Sequence, residues 1–99
     1  MNLLVSYVTY RRDFVKLGGV NVAVYLTAIL CLPAMEGTDW KESSILAVEK
    51  STGLTPNEQM IARIQLRGMK VLIDKPVNGD PVIRIDEDKL RELLSGGNS

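Results

Sequence analysis

Histidine is missing from this 99-residue chain, cysteine occurs once, and aromatic residues make up only 5% of it. Without histidine there is no ordinary general base near neutral pH, and Cys31 alone can form neither a disulfide framework nor a usual zinc site. A reducing, cytoplasmic setting fits, with Cys31 expected in the core and without a redox task. No phosphate-binding glycine loop, metalloprotease helix or nucleophile elbow occurs, so no catalytic residue, metal ligand, cofactor or small-molecule substrate is expected. Charge of either sign is also lacking in surplus. Twelve basic and twelve acidic residues leave a formal net charge of zero, which excludes a chain that coats nucleic acid through bulk charge. Long apolar runs are absent too: residues 22 to 35 fall short of the roughly 20 that span a bilayer, and they include Thr27 and Pro33. That stretch reads as a buried helix, with neither a membrane span nor a signal peptide.

What is present suffices for one domain with a modest core. Residues 3 to 10, rich in β-branched and aromatic types, suggest a short strand. A first helix is expected over 10 to 17, ended by Gly18 and Gly19, and a central one over 21 to 32, stopped by Pro33. Trp40 re-enters the apolar register before a helix over 42 to 51, for which Ser43 or Ser44 can serve as cap. Gly53 can close that helix in a left-handed conformation. Thr55, Pro56 and Glu58 then open a second helix, expected from 56 to about 69, with a capping box and a proline at its first position. Ala62, Leu66 and Met69 repeat at helical spacing and face inward with Leu54, while Arg63 and Arg67 share an outer stripe. Residues 70 to 74 and 82 to 85 read as strands around an Asn78-Gly79 turn, and Pro76 and Pro81 should discourage further strands. Asp86 caps a last helix over 87 to 94. The expected architecture is α+β: a winged helix-turn-helix over residues 1 to 94, with a flexible tail over 95 to 99.

The chain carries Leu17-Gly18-Gly19-Val20-Asn21-x-Ala23-x-x-Leu26-x-x-Ile29-Leu30, then Trp40, then Thr52-Gly53-Leu54-Thr55-x-x-Glu58-Gln59-x-x-Ala62-Arg63-x-x-Leu66, then Arg84-Ile85-Asp86-x-Asp88-Lys89-Leu90. This pattern resembles the winged-helix domain of phage and mobile-element proteins, many of them replication initiators or replisome organisers. The similarity covers about residues 3 to 94. It implies binding of double-stranded DNA through the helix-turn-helix and wing, in replication initiation or transcriptional control, and allows a homodimer and replication proteins as further partners. Lys70 departs from the pattern, which has glycine between recognition helix and wing strand. Val82, Ile83 and Arg84 stand where aromatic residues are common.

The basic residues support that expectation locally, since Arg63, Arg67, Lys70 and Lys75 stand against Asp74 alone between residues 63 and 75, from the second helix into the wing. Arginine can bond guanine and glutamine can bond adenine in bidentate fashion, which makes Arg63, Arg67 and Gln59 candidate DNA contacts. In the resembled family Gln59 and Arg63 belong to the shared motif, which implies structural or phosphate-holding roles. Lys70 and Lys75 suit phosphate, and Asn57 can reach phosphate at the helix start. Trp40 is expected as a core anchor. The alternative is a protein-interaction winged helix that uses an apolar edge of Leu90, Leu93 and Leu94, or the exposed Met60 and Ile64.

Overall fold

Apolar side chains surround the helix Val20–Cys31 (α1) on nearly every side, and Val22, Ala23, Val24, Tyr25, Leu26 and Ile29 are all buried. Such a helix must be covered from several directions. The 3-10 helix Arg12–Leu17 and the helices Ile45–Thr52 (α2) and Pro56–Gly68 (α3) pack against it. The computed structural model describes residues 9 to 96. The strand expected over residues 3 to 10 falls mainly on residues 1 to 8, outside that range, and the expected tail runs into residues 97 to 99, also outside it.

Two further elements follow α3 as a hairpin, Leu72–Lys75 (β2) and Val82–Ile85 (β3), with Leu72 opposite Ile85 and Lys75 opposite Val82. The chain closes on the helix Glu87–Leu94 (α4), whose cap Asp86 accepts a hydrogen bond from Lys89 N at 3.0 Å. A short strand that sequence reasoning missed, Lys41–Glu42 (β1), pairs with the free edge of β3, so the antiparallel sheet runs β1-β3-β2. The prolines of the hairpin loop do not prevent this. Both lie outside β3, and Pro81 contributes its carbonyl, which accepts from Ser43 N at 2.9 Å. The architecture is α+β.

β1 also carries Lys41, whose ammonium donates to the carbonyls of Ile29 and Leu30, each at 3.0 Å. Unpaired carbonyls at a helix end attract cations, so Lys41 ties the sheet to the end of α1. Cys31, at that same end, is exposed and does not join the core. Helical spacing turns it away from Ile29 and toward solvent. No described helix is long and apolar enough to cross a membrane.

Candidate functional site

Gly53 ends α2 with φ 81°, a conformation that costs a side chain but not glycine, and the chain turns at once into α3. Ser44 caps α2 by accepting from Ala47 N. Thr55 accepts from Glu58 N at 3.1 Å while Glu58 accepts from Thr55 N at 2.9 Å, a complete capping box that stabilises the start of α3 by about 1 kcal/mol. Ala62 and Leu66 are buried and Met69 packs against the core. The inward stripe holds one more member. Gln59 is fully buried and its amide donates to the carbonyls of Ile45 and Leu54, each at 3.0 Å. It pins the start of α2 and the turn onto α3, which removes it from the set of candidate DNA contacts. Its spacing of three residues from Ala62 and seven from Leu66 was the signal for this position.

The end of α3 sets the direction of the hairpin. Val71 N donates to Leu66 O and Lys70 N to Arg67 O, each at 3.0 Å, the paired bonds of a Schellman motif. Lys70 occupies its left-handed position at φ 68°, where glycine is usual, and β2 consequently starts at Leu72 and not at Lys70. Gly68 instead sits inside the helix, with open space where a Cβ would lie. Lys70→Gly is therefore expected to raise unfolding stability by about 1 kcal/mol, and Gly68→Ala by roughly 0.5 to 1 kcal/mol. Urea denaturation checks both. A lower midpoint for Lys70→Gly would mean that the lysine side chain stabilises the fold by more than its backbone strain costs.

Between α3 and the β2–β3 hairpin lies an open groove lined by Arg63, Arg67 and Lys75 together with Met60, Ile64 and Val77. Arg67 donates to Asp74 at 2.7 Å across the groove and keeps half of its side chain exposed. A surface pair of this kind contributes little to stability, about 0 to 1 kcal/mol. Its consequence is electrostatic: Asp74 offsets one of the three cations. Arg63 is half-buried, with its guanidinium 3.5 Å from the hydroxyl of Tyr25. Burial raises the Tyr25 phenol above its ordinary pKa, while Arg63 and then the buried Ser43 pull it back down. The phenol thus stays protonated and holds Arg63 at the mouth of the groove.

Lys75 is exposed and lies over the ring of Trp40, 4.3 Å from its centroid, and Arg84 approaches the same ring at 5.7 Å. A cation over an aromatic ring at a solvent-accessible site is worth roughly 0.5 to 1 kcal/mol. Trp40 is accordingly half-buried beside the hairpin and is not a core anchor. It positions Lys75. The signal for this was weak, because Trp40 and Lys75 meet only after β1 has joined β3.

Of the remaining candidates, Asn57 is exposed in the first turn of α3, and Lys70 is exposed at the other end, where it borders a separate depression with Arg67, Asp74 and Asp86. Arg63, Arg67 and Lys75 therefore come together, and Lys70 lies around the corner from them. The leucine edge of α4 is not an open face, since Leu90 is only 5% exposed and Leu93 and Leu94 pack against the core. The alternative surface that does stay open is on α3, where Met60, Ile61 and Ile64 are 44%, 47% and 50% exposed. Another depression, between the end of α1 and the start of α4, gathers Lys41 and Arg84 with Asp39, Asp86, Glu87 and Asp88. Four carboxylates outnumber two cations there, which suits neither phosphate nor DNA, and Lys41 is already engaged by backbone carbonyls. Compared with protein-family models, with curated proteins and with solved structures, the chain matches none.

Proposed function

We propose that this protein is a winged helix that binds double-stranded DNA in the cytoplasm, with α3 entering the major groove and the β2–β3 hairpin acting as the wing on the backbone. The observation that carries this reading is the collection of Arg63, Arg67 and Lys75 along one groove in a chain of zero net charge. The order of elements supports it, as the second of two consecutive capped helices runs into a hairpin whose far edge takes up a short strand. The resemblance to phage and mobile-element winged helices supports a non-catalytic role in replication initiation or transcriptional control.

Titration of a labelled duplex against the full chain at several salt concentrations tests the proposal. Each neutralised phosphate contributes about −0.9 to the slope of log K against log salt, so the groove of one copy, in which Asp74 offsets one of three cations, predicts roughly −2 and weak binding. A symmetric dimer doubles the slope. Trp40 is the single tryptophan and lies against Lys75, so its fluorescence should change along the same isotherm. Absence of binding at low salt, or binding indifferent to salt, would sink the proposal. The half-exposed Met60, Ile61 and Ile64 favour a second reading, in which α3 meets another protein.

A further inference from the structure

On the reading that α3 enters the major groove, we propose that its outermost side chains read A·T base pairs, with Met60, Ile61 and Ile64 against thymine methyl groups and Asn57 against adenine. At about 100° per residue, the line opposite the buried stripe of Gln59, Ala62 and Leu66 runs through Asn57, Ile61, Ile64 and Gly68, with Met60 at its margin. The three aliphatic residues on this crest are each close to half exposed.

No hydrogen-bonding side chain stands on the crest beyond Asn57. Gln59 is buried, and Arg63 and Arg67 project from the flank toward the hairpin, where Arg67 is held by Asp74. Gln65, on the opposite flank, reaches back toward Gly18. A guanidinium positioned over guanine is thus missing from the part of the helix that goes deepest. In the major groove the apolar feature that distinguishes one base from another is the C5-methyl of thymine. Isoleucine leaves the polar edge of either base pair without partners, at a cost, and only on an A·T pair does it gain a methyl contact in return. Asn57, in the first turn, has the amide that pairs with adenine N6 and N7.

Two observations favour DNA over a protein as the occupant of this crest. Cations border it on the hairpin side, which complements phosphate. Three half-exposed side chains also fall far short of the roughly 800 Å² per partner that a stable protein interface buries.

Selection of binding sites from a random duplex pool with the full chain, followed by replacement of thymine by deoxyuridine in the selected site, tests this. Uracil keeps every hydrogen bond of thymine and lacks only the methyl group. The expected selection is a core of A·T pairs. Each contacted methyl should be worth about fourfold in affinity, the value of one buried methyl-sized group. Ile61→Ala and Ile64→Ala should narrow the difference between thymine and uracil duplexes while retaining the salt slope, since neither side chain lies in the core. A G·C-rich selected site, or equal affinity for the thymine and uracil duplexes, overturns the inference and leaves DNA binding standing. Failure of every duplex to bind at low salt overturns both.

Discussion

Gln59→Glu should destabilise the protein at neutral pH by about 3 to 5 kcal/mol, the range for an uncompensated buried charge. The wild-type amide donates both of its hydrogens, to Ile45 O and Leu54 O, from a fully buried position. A carboxylate there would set negative charge against two carbonyl oxygens with no donor to offer. Since small domains have only about 5 to 15 kcal/mol of stability in total, this is a large fraction. The effect should depend on pH in a specified direction. A buried glutamate holds its proton more tightly in the folded state than in the unfolded chain, so its pKa rises on folding. The variant is then least impaired below the unfolded glutamate value, where the protonated carboxyl can still donate one hydrogen. It loses stability as pH rises toward the folded value, and levels off above it. Gln59→Leu, which cannot ionise, should cost roughly 1 to 3 kcal/mol from the unpaired Leu54 carbonyl and show no such added pH dependence. Urea denaturation followed by circular dichroism at acidic and neutral pH measures this. Equal stability of the glutamate and leucine variants at neutral pH would contradict the burial and bonding assigned to Gln59.

The second large effect concerns affinity. Replacing Arg63, Arg67 and Lys75 together by alanine should weaken duplex binding at least about 50-fold near 0.1 M salt and flatten the salt slope by about 2 units. The structure also supplies a change in the opposite direction. Asp74 engages Arg67 at 2.7 Å and faces the same groove. Asp74→Asn removes a negative charge and releases the guanidinium, and it should tighten binding several-fold at low salt and steepen the slope by about 1. The pairing of a loss with a gain separates charge from folding, because a misfolded variant can only lose. Unchanged affinity in the asparagine variant would remove the groove from consideration as the DNA-contacting surface. Lys70→Gly provides a separate comparison: a modest loss of affinity together with a gain in stability would place Lys70 on the phosphate backbone at the edge of the site.

Features built from neighbouring residues were legible in advance. The capping box of Thr55 and Glu58, the left-handed Gly53, the Asp86 cap and the hairpin turn with Gly79 at φ 95° all occur where the sequence places them, and within the hairpin the start of β2 is displaced by the left-handed Lys70. Each depends on contacts within a few positions, so local spacing carries the information. Elements that depend on distant partners were not legible. β1 has two residues and owes its existence to Val82 and Ile83, some forty positions away. Trp40 and Cys31 both appeared to belong to the core because they are apolar. The first is held beside the hairpin by a lysine, and the second falls on the solvent side of α1. The leucines of α4 formed an apolar edge in sequence and found their cover in the core.

By itself the sequence determined the ends of α1, α3 and α4 to within a residue, which stripe of α3 turns inward, and that basic residues cluster around α3 and the hairpin; α2, expected from residue 42, starts at Ile45 because Lys41–Glu42 are taken up by β1. Tertiary structure decided which of those cations share a groove and which is offset by Asp74. It also decided that Gln59 acts within the fold and that an aliphatic crest is left outermost on α3. The physical reason is the range of the forces involved. Backbone capping and helical periodicity operate within one or two turns, whereas the exposure and pairing of a side chain are set by whatever the rest of the chain packs against it.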